Sequence, residues 1–132
     1  MRRNETAMQN DDPISVVNSF NNCINRQDIE ALSGLMSDDH IFIDSSGEVR
    51  AGKGTMVAGW KQFFKDYPDY LNHFKHIQAR GNLVIVAGYS TCSFEALDGP
   101  ALWRAKVSGG LVKEWHVYDD TDANRLRLDL HI

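Results

Sequence analysis

The chain has 132 residues, enough for one domain that buries its own core without a disulfide or metal to hold it together. Apolar residues make up 42% and charged residues 24%, and the formal net charge of -4 is spread along the chain. Such a surface repels phosphate backbones, which excludes nucleic acid as an expected partner, and no apolar run approaches the ~20 residues a membrane helix needs.

Arg2 and Arg3 are followed by Asn4, Glu5 and Thr6 with no apolar segment behind them, which reads as no secretory leader and a cytoplasmic setting. Residues 1–11 are expected as a polar, poorly ordered tail and residues 12–132 as the folded domain. Asp12-Pro13 opens the first helix, with Asp as the N-cap and Pro at the first helical position. Ile14, Val17, Phe20 and Ile24 recur at helical spacing, Val16 and Cys23 widen the stripe, and Asn18, Asn21, Asn22 and Asn25 form the polar side. Asp28 caps a second helix through Ile29, Ala31, Leu32, Leu35 and Met36, which Ser37-Asp38-Asp39 breaks. His40 to Asp44 is extended and β-branched, and Ser45-Ser46-Gly47 turns the chain. Ala51 to Gly54 leads into a third helix. Its Met56, Trp60, Phe63, Phe64 and Tyr67 make one aromatic face, and Pro68 ends it. The remainder reads as β: Phe74–Arg80, a Gly81-Asn82 turn, Leu83–Phe94 with a bend or bulge at Gly88, a turn at Asp98-Gly99-Pro100, then Ala101–Val107 and Leu111–Tyr118. Asp120 or Thr121 caps a short final helix or turn. Three early helices and a late curved antiparallel meander make an α+β fold.

Cys23 and Cys92 have neither C-x-x-C spacing nor histidine neighbours, and read as small buried hydrophobes rather than a disulfide. His73 and His76 are three apart in an extended stretch, where they are expected on opposite faces, which argues against a metal site; His40, His116 and His131 are scattered. Gly52-Lys53-Gly54-Thr55 lacks the preceding strand and the full spacing of a phosphate loop. No Ser-His-Asp arrangement is evident.

Four stretches carry a resemblance: Asn25 to Leu32, Met36 to Asp44, Asp98 to Arg104, and Gly109 to Asp120 with its Glu-Trp-x-Val-Tyr-x-Asp-Thr ending. With the element order, they make residues 13–128 resemble the SnoaL-like/NTF2-like superfamily, closest to its members of unassigned activity. That superfamily includes ketosteroid isomerases, limonene-epoxide hydrolases and polyketide cyclases. The resemblance implies a cone of three N-terminal helices packed on a strongly curved antiparallel sheet around an apolar pocket. It also implies cofactor-independent chemistry where there is any, and a homodimer. Trp103 or Trp115 on an outer sheet face would add to the case for a dimer.

The resemblance sets Asp44 where the isomerases keep their general base, and a carboxylate at an apolar mouth can shuttle a proton at carbon. Asp44-Ser45-Ser46-Gly47 is equally a good Asx-turn, in which the carboxylate only bonds backbone N–H groups. The isomerase donors map to Phe20, about Trp103, and Trp60. Phe20 cannot donate and the indoles offer only a neutral N–H, while each lost oxyanion donor costs about 3 kcal/mol of barrier or more. The last aspartate of the epoxide hydrolases maps to Val117, and Leu83–Phe94 holds no Arg-x-Asp pair. Asp119 shares a strand face with Trp115 and Val117, so it is either a second acid beside Asp44 or a cap for the following turn. Phe20, Phe42, Trp60, Phe64, Tyr89, Trp103, Trp115 and Val117 are the candidate pocket wall, with Phe63 read as core. Trp60, Tyr89 or a bound water is the candidate to orient a ligand oxygen, and His76 or Tyr89 is a further candidate donor to the cavity. The chain is therefore expected to bind a small apolar ligand, with no metal and no cofactor. The alternative is an isomerase, cyclase or hydrolase moving a proton through Asp44 on a small apolar carbonyl compound.

Overall fold

The structure is a computed structural model that describes residues 12–132; the expected tail, 1–11, lies outside the described residues. Asp12 and Pro13 open α1 (Pro13–Arg26), where Asp12 Oδ2 accepts from Ser15 N–H at 3.3 Å and from Ser15 Oγ at 2.9 Å. Asp28 caps α2 (Ile29–Gly34) by accepting from Ala31 N–H at 3.1 Å. α2 is shorter than the sequence suggests. Ser37-Asp38-Asp39, read as a helix break, lies inside β1 (Met36–Ile43), because Met36 is buried and pairs with Val112, whose N–H bonds Leu35 O at 2.7 Å. Then come β2 (Val49–Ala51), α3 (Lys53–Asp66), β3 (Leu71–Arg80), β4 (Leu83–Thr91), a 3-10 turn (Glu95–Leu97), β5 (Gly99–Ser108), β6 (Leu111–Asp119) and α4 (Asp122–Arg127). β4 stops three residues before the expected Phe94, where the chain coils into the 3-10 turn. Thr121 is the cap of α4, and Asp120 holds Arg125 through two bonds of 2.6 and 2.8 Å. None of the described helices is long and apolar enough to cross a membrane.

The strands form one sheet in the order β2-β1-β6-β5-β4-β3. β3 to β6 is the expected antiparallel meander, but β1 pairs with β6 in parallel, so the sheet is mixed rather than wholly antiparallel. Tight turns announce antiparallel neighbours in a sequence; two strands far apart in the chain carry no such signal of direction.

The inner face turns Val84, Val86, Trp103, Ala105, Val107, Val112 and Trp115 toward the helices, where Val17, Phe20, Ile24, Leu32, Met56 and Trp60 complete one core. Phe20 lies 4.6 Å from Trp115, and Phe74 lies 5.1 Å from Trp103. Both tryptophans are 1% exposed on this inner face, so they give no support to an outer-face dimer. The outer face carries a second, smaller cluster of Ile85, Ala87, Leu102 and Tyr118, which Leu128 and Leu130 of the C-terminal segment cover.

Gly88 lies opposite an irregularity in β3. His73 pairs with Tyr89 and Phe74 with Gly88, but His76, not Lys75, pairs with Ala87. Lys75 is the extra residue of a bulge, which bends the strand. The bulge corrects one expectation: His73 and His76 fall on the same outer face, because their partners Tyr89 and Ala87 do. His73 Nε2 sits 3.0 Å from Thr91 Oγ1 and His76 Nε2 3.2 Å from Gln78 Oε1, and no group of three or more metal-ligating side chains forms among the described residues. A Cβ at Gly88 would come within 2.1 Å of His73 O, a backbone atom that cannot step aside. Gly88→Ala should therefore destabilise the fold by about 3 kcal/mol, read as a lower urea midpoint at unchanged slope.

His40, expected on a plain strand, is fully buried on the inner face, 5.8 Å from Phe20. Its Nδ1 is 2.7 Å from Val112 O, which makes Nδ1–H the donor and leaves Nε2 buried with no partner. Burial pushes the His40 pKa below the 6.5 of a solvated imidazole, against the smaller opposing effect of Val112. The unfolded chain takes up a proton near 6.5 that the folded chain resists, so stability is level above that pH and falls as pH drops below it. Urea titrations should show stability declining as pH falls below about 6.5, by no more than about 1.4 kcal/mol per pH unit for this one proton. His40→Leu should reduce the decline, leaving the parts owed to half-buried His116, whose pKa burial also lowers, and to carboxylates held below their usual range such as Asp44 and Asp120.

Candidate functional site

The apolar face of α3 does not close fully on the sheet. Between α3 and the inner face of β1, β2 and β6 lies a cavity of about 480 Å³. α3 lines it with Met56, Gly59, Trp60, Gln62, Phe63 and Asp66, and the chain just beyond adds Tyr67 and Tyr70. The sheet side gives Phe42, Arg50, Trp115 and Val117, the turn after β1 gives Asp44 and Ser45, and the 3-10 turn brings in Leu97. Phe20, Phe74 and Trp103 pack together with Trp115, and Trp115 also borders the cavity. A smaller hollow of about 330 Å³ between α1, α2 and the β5–β6 turn is lined by Ser15, Val16, Ser19, Gly34, Leu35, Gly110 and Leu111, with no titratable group.

Of the residues singled out in the sequence, Asp44, Phe42, Trp60, Trp115 and Val117 border the cavity. Phe20, Phe64 and Trp103 are buried in the core and do not. Tyr89 does not reach it either: β4 alternation puts it on the outer face, 37% exposed and stacked on His73 at 4.6 Å. His76 is on that same outer face. Asp119 is exposed at the end of β6 and outside the cavity, and its backbone carbonyl, not its carboxylate, takes the bonds from Thr121 N–H and Asn124 Nδ2. The structure thus does not bring the two candidate acids together at the cavity. Phe63, read as core, is half-buried and lines the cavity.

Asp44 is at the mouth, and its Oδ1 accepts three hydrogen bonds: from Ser46 N–H at 2.9 Å, Ser46 Oγ at 2.6 Å and Glu48 N–H at 3.0 Å. The Asx-turn forms. The Ser46 hydroxyl, above the backbone donors, holds the Asp44 pKa below the usual carboxylate range, with partial burial opposing. The rim is otherwise polar: Gln62 Nε2 donates to Asp66 Oδ1 at 2.9 Å, and Arg50 pairs with Glu48 at 3.6 Å on the surface. Inside, the walls are aromatic. Trp60 packs edge-on against Phe42 and Phe63 at 6.0 and 5.4 Å, and Phe63 does the same with Tyr70 at 4.9 Å. Trp60 Nε1, a candidate donor, is buried without a hydrogen-bond partner and sealed from solvent.

Sequence reasoning missed Tyr70 and the polar groups behind it. Asn21 and Asn25, read as the polar side of α1, turn inward instead onto Asn72, and Asn21, Asn72 and Ser90 are all buried. The four-residue spacing of Asn21 and Asn25 was a signal for one shared stripe, but nothing in the sequence marked that stripe as facing a strand edge. Tyr70 follows the helix-ending Pro68 and fits no periodicity. Burial pushes its phenol pKa up, against the lowering effect of Ser90 and Asn72.

This arrangement can hold a flat apolar molecule between aromatic walls under a polar rim. Two carboxylates border it: Asp44 accepts from its own turn, and Asp66 accepts from Gln62. No curated protein matches the sequence. Solved structures match across most of the chain. A LEH-like epoxide hydrolase from M. tuberculosis is 16% identical with a TM-score of 0.73, covering 82% of this chain and 82% of that one. An NTF2-like protein of unknown function from Cytophaga hutchinsonii is 14% identical with a TM-score of 0.68, covering 89% of this chain and 94% of that one. A SnoaL-like protein of unknown function from Burkholderia thailandensis is 13% identical with a TM-score of 0.67, covering 80% and 92%. At such identities these likenesses speak for the fold alone. The sequence model of the SnoaL-like domain matches residues 17–119, from within α1 to the end of β6, and on that match the chain belongs to the SnoaL-like domain family.

Proposed function

We propose that this protein binds one small apolar molecule in the cavity beneath α3, and that Asp44 serves to shape the cavity mouth rather than to move protons. The observation that carries the reading is the cavity itself. Its volume of about 480 Å³ lies within the range of small-molecule sites, and its wall is aromatic and aliphatic with polar groups confined mostly to the rim. Gly59 offers a clean test, because it lines the cavity and a Cβ there would meet nothing within 4 Å. The wild-type protein should bind an apolar dye such as Nile red at one site per chain. Gly59→Leu should weaken that binding about tenfold while holding or raising the thermal midpoint, since Leu in a helix interior is favoured over Gly by about 1 kcal/mol. Unchanged dye binding in this variant would overturn the reading.

The enzymatic alternative draws its support from the place of Asp44 at the mouth. The three donors on Oδ1 work against it, because a carboxylate held in its charged form is a weak base and a poor acid. An NMR titration of the Asp44 carboxyl decides between the two readings. A midpoint below that of a free aspartate, about 3.9, fits binding alone, and one near 6 would restore proton transfer.

A further inference from the structure

The cavity beneath α3 joins an aromatic wall to an acidic mouth. Six of its lining residues are aromatic: Phe42, Trp60, Phe63, Tyr67, Tyr70 and Trp115. Aromatic rings attract a positive charge, and the attraction strengthens as water is removed. Two carboxylates, Asp44 and Asp66, border the same cavity. The Ser46 hydroxyl holds Asp44 below the usual carboxylate range, so it is charged at any ordinary pH. Each carboxylate takes its hydrogen bonds on Oδ1 alone, Asp44 from Ser46 and Glu48 and Asp66 from Gln62, and neither makes an ion pair among the described residues. Arg50 is the one basic residue on the lining, and it has Glu48 as its partner at 3.6 Å. Lys61 and Lys65, exposed on α3, are not on the lining. The mouth therefore keeps an excess of negative charge beside a wall of low dielectric, an arrangement that concentrates the field of those charges at the opening.

We propose that the ligand of this cavity is a cation, a flat apolar body that carries one positively charged nitrogen. The proposal rests on the ligand-binding reading above and adds the charge of the ligand. The body fills the aromatic hollow and the nitrogen stands in the mouth, where the field of the carboxylates and the pull of the rings have the same sign. An anionic ligand would meet Asp44 and Asp66 with like charge, while Arg50 is already drawn to Glu48. The carboxylates are in contact with water, so each adds a modest, salt-sensitive gain rather than a tight ion pair.

The test compares N,N,N-trimethylanilinium with tert-butylbenzene, which share one shape and differ by one positive charge, in titrations followed by amide NMR spectra. The wild-type protein should bind the cation in competition with Nile red. Its affinity for the cation should drop about fivefold between roughly 20 and 500 mM sodium chloride, while its affinity for tert-butylbenzene does not fall. Asp44→Asn and Asp66→Asn keep the shape of each side chain and the oxygen that accepts its present bonds. Each should weaken the cation about threefold and leave the hydrocarbon unchanged. Asp66→Asn, exposed on α3, carries the test independently of the turn at Asp44. Asp38→Asn removes the same charge from an exposed site near the other end of β1, and should change neither probe. Gly59→Leu, which fills the cavity, should weaken both. A cation affinity that ignores salt, mouth variants that change nothing, or a loss in Asp38→Asn equal to theirs would each overturn the preference for a cation. If Nile red and tert-butylbenzene still bind in those cases, the binding reading stands without it. Failure of all three probes to bind would take both.

Discussion

The structure depends on how four aromatic rings fill the inner face of the sheet. Phe20 from α1, Phe74 from β3, Trp103 from β5 and Trp115 from β6 meet between 4.6 and 6.5 Å, and the two tryptophans are almost wholly buried. Burial of that much aromatic surface is the main local source of stability, and tilted ring pairs add to it. It also divides the interior. Register irregularities at Met36/Ile41, Phe74/His76 and Lys106/Val107 bend the sheet, and Trp115 stands at the border, touching Phe20 on one side and the cavity under α3 on the other.

That division sets which side chains border the cavity. Positions that would hold strong donors in an isomerase-like arrangement hold Phe20 and Trp103, and both are core. The Asp44 carboxylate at the cavity mouth is committed to its own turn, where Ser46 and Glu48 favour its charged form. The remaining charged groups, Arg50 and Asp66, are exposed on the rim. Charge at an entrance in contact with water is screened and acts weakly on chemistry inside.

Much of the fold was legible because local signals and packing agree. Asp12-Pro13 and Asp28 open their helices, Pro68 follows the end of α3, and the Gly81-Asn82 and Gly109-Gly110 turns join strands of the meander. The failures share one cause, which is pairing between distant segments. Ser37-Asp38-Asp39 is a poor strand by composition and is held in β1 by its neighbours; the parallel pairing of β1 with β6 has no local mark. In the site, α3 was legible because its aromatic stripe has helical period. Tyr89 was assigned to the cavity wall on type, and Trp103 on type and on the resemblance. For Tyr89 the alternation of β4 decided otherwise, and for Trp103 the ring packing under α1 did. The bulge at Lys75 likewise turned two histidines to one face, since one extra residue reverses every side chain beyond it.

The edges of the sheet show how stability and site are linked. β2 is three residues long, and a short edge offers little for another strand to pair with. β3 is ten residues long and would offer a great deal. Asn25 answers this by presenting its amide to the free N–H and C=O of Asn72, as the backbone of a further strand would. A helix thereby blocks the edge at the cost of turning polar residues inward, and that cost is offset only if each amide atom is paired. Asn21, Asn72 and Ser90 supply the pairing, and the same chain of bonds stops at Tyr70 on the cavity wall. The polar groups that protect the edge strand therefore reach, through a long 3.4 Å contact, a phenol of the cavity wall.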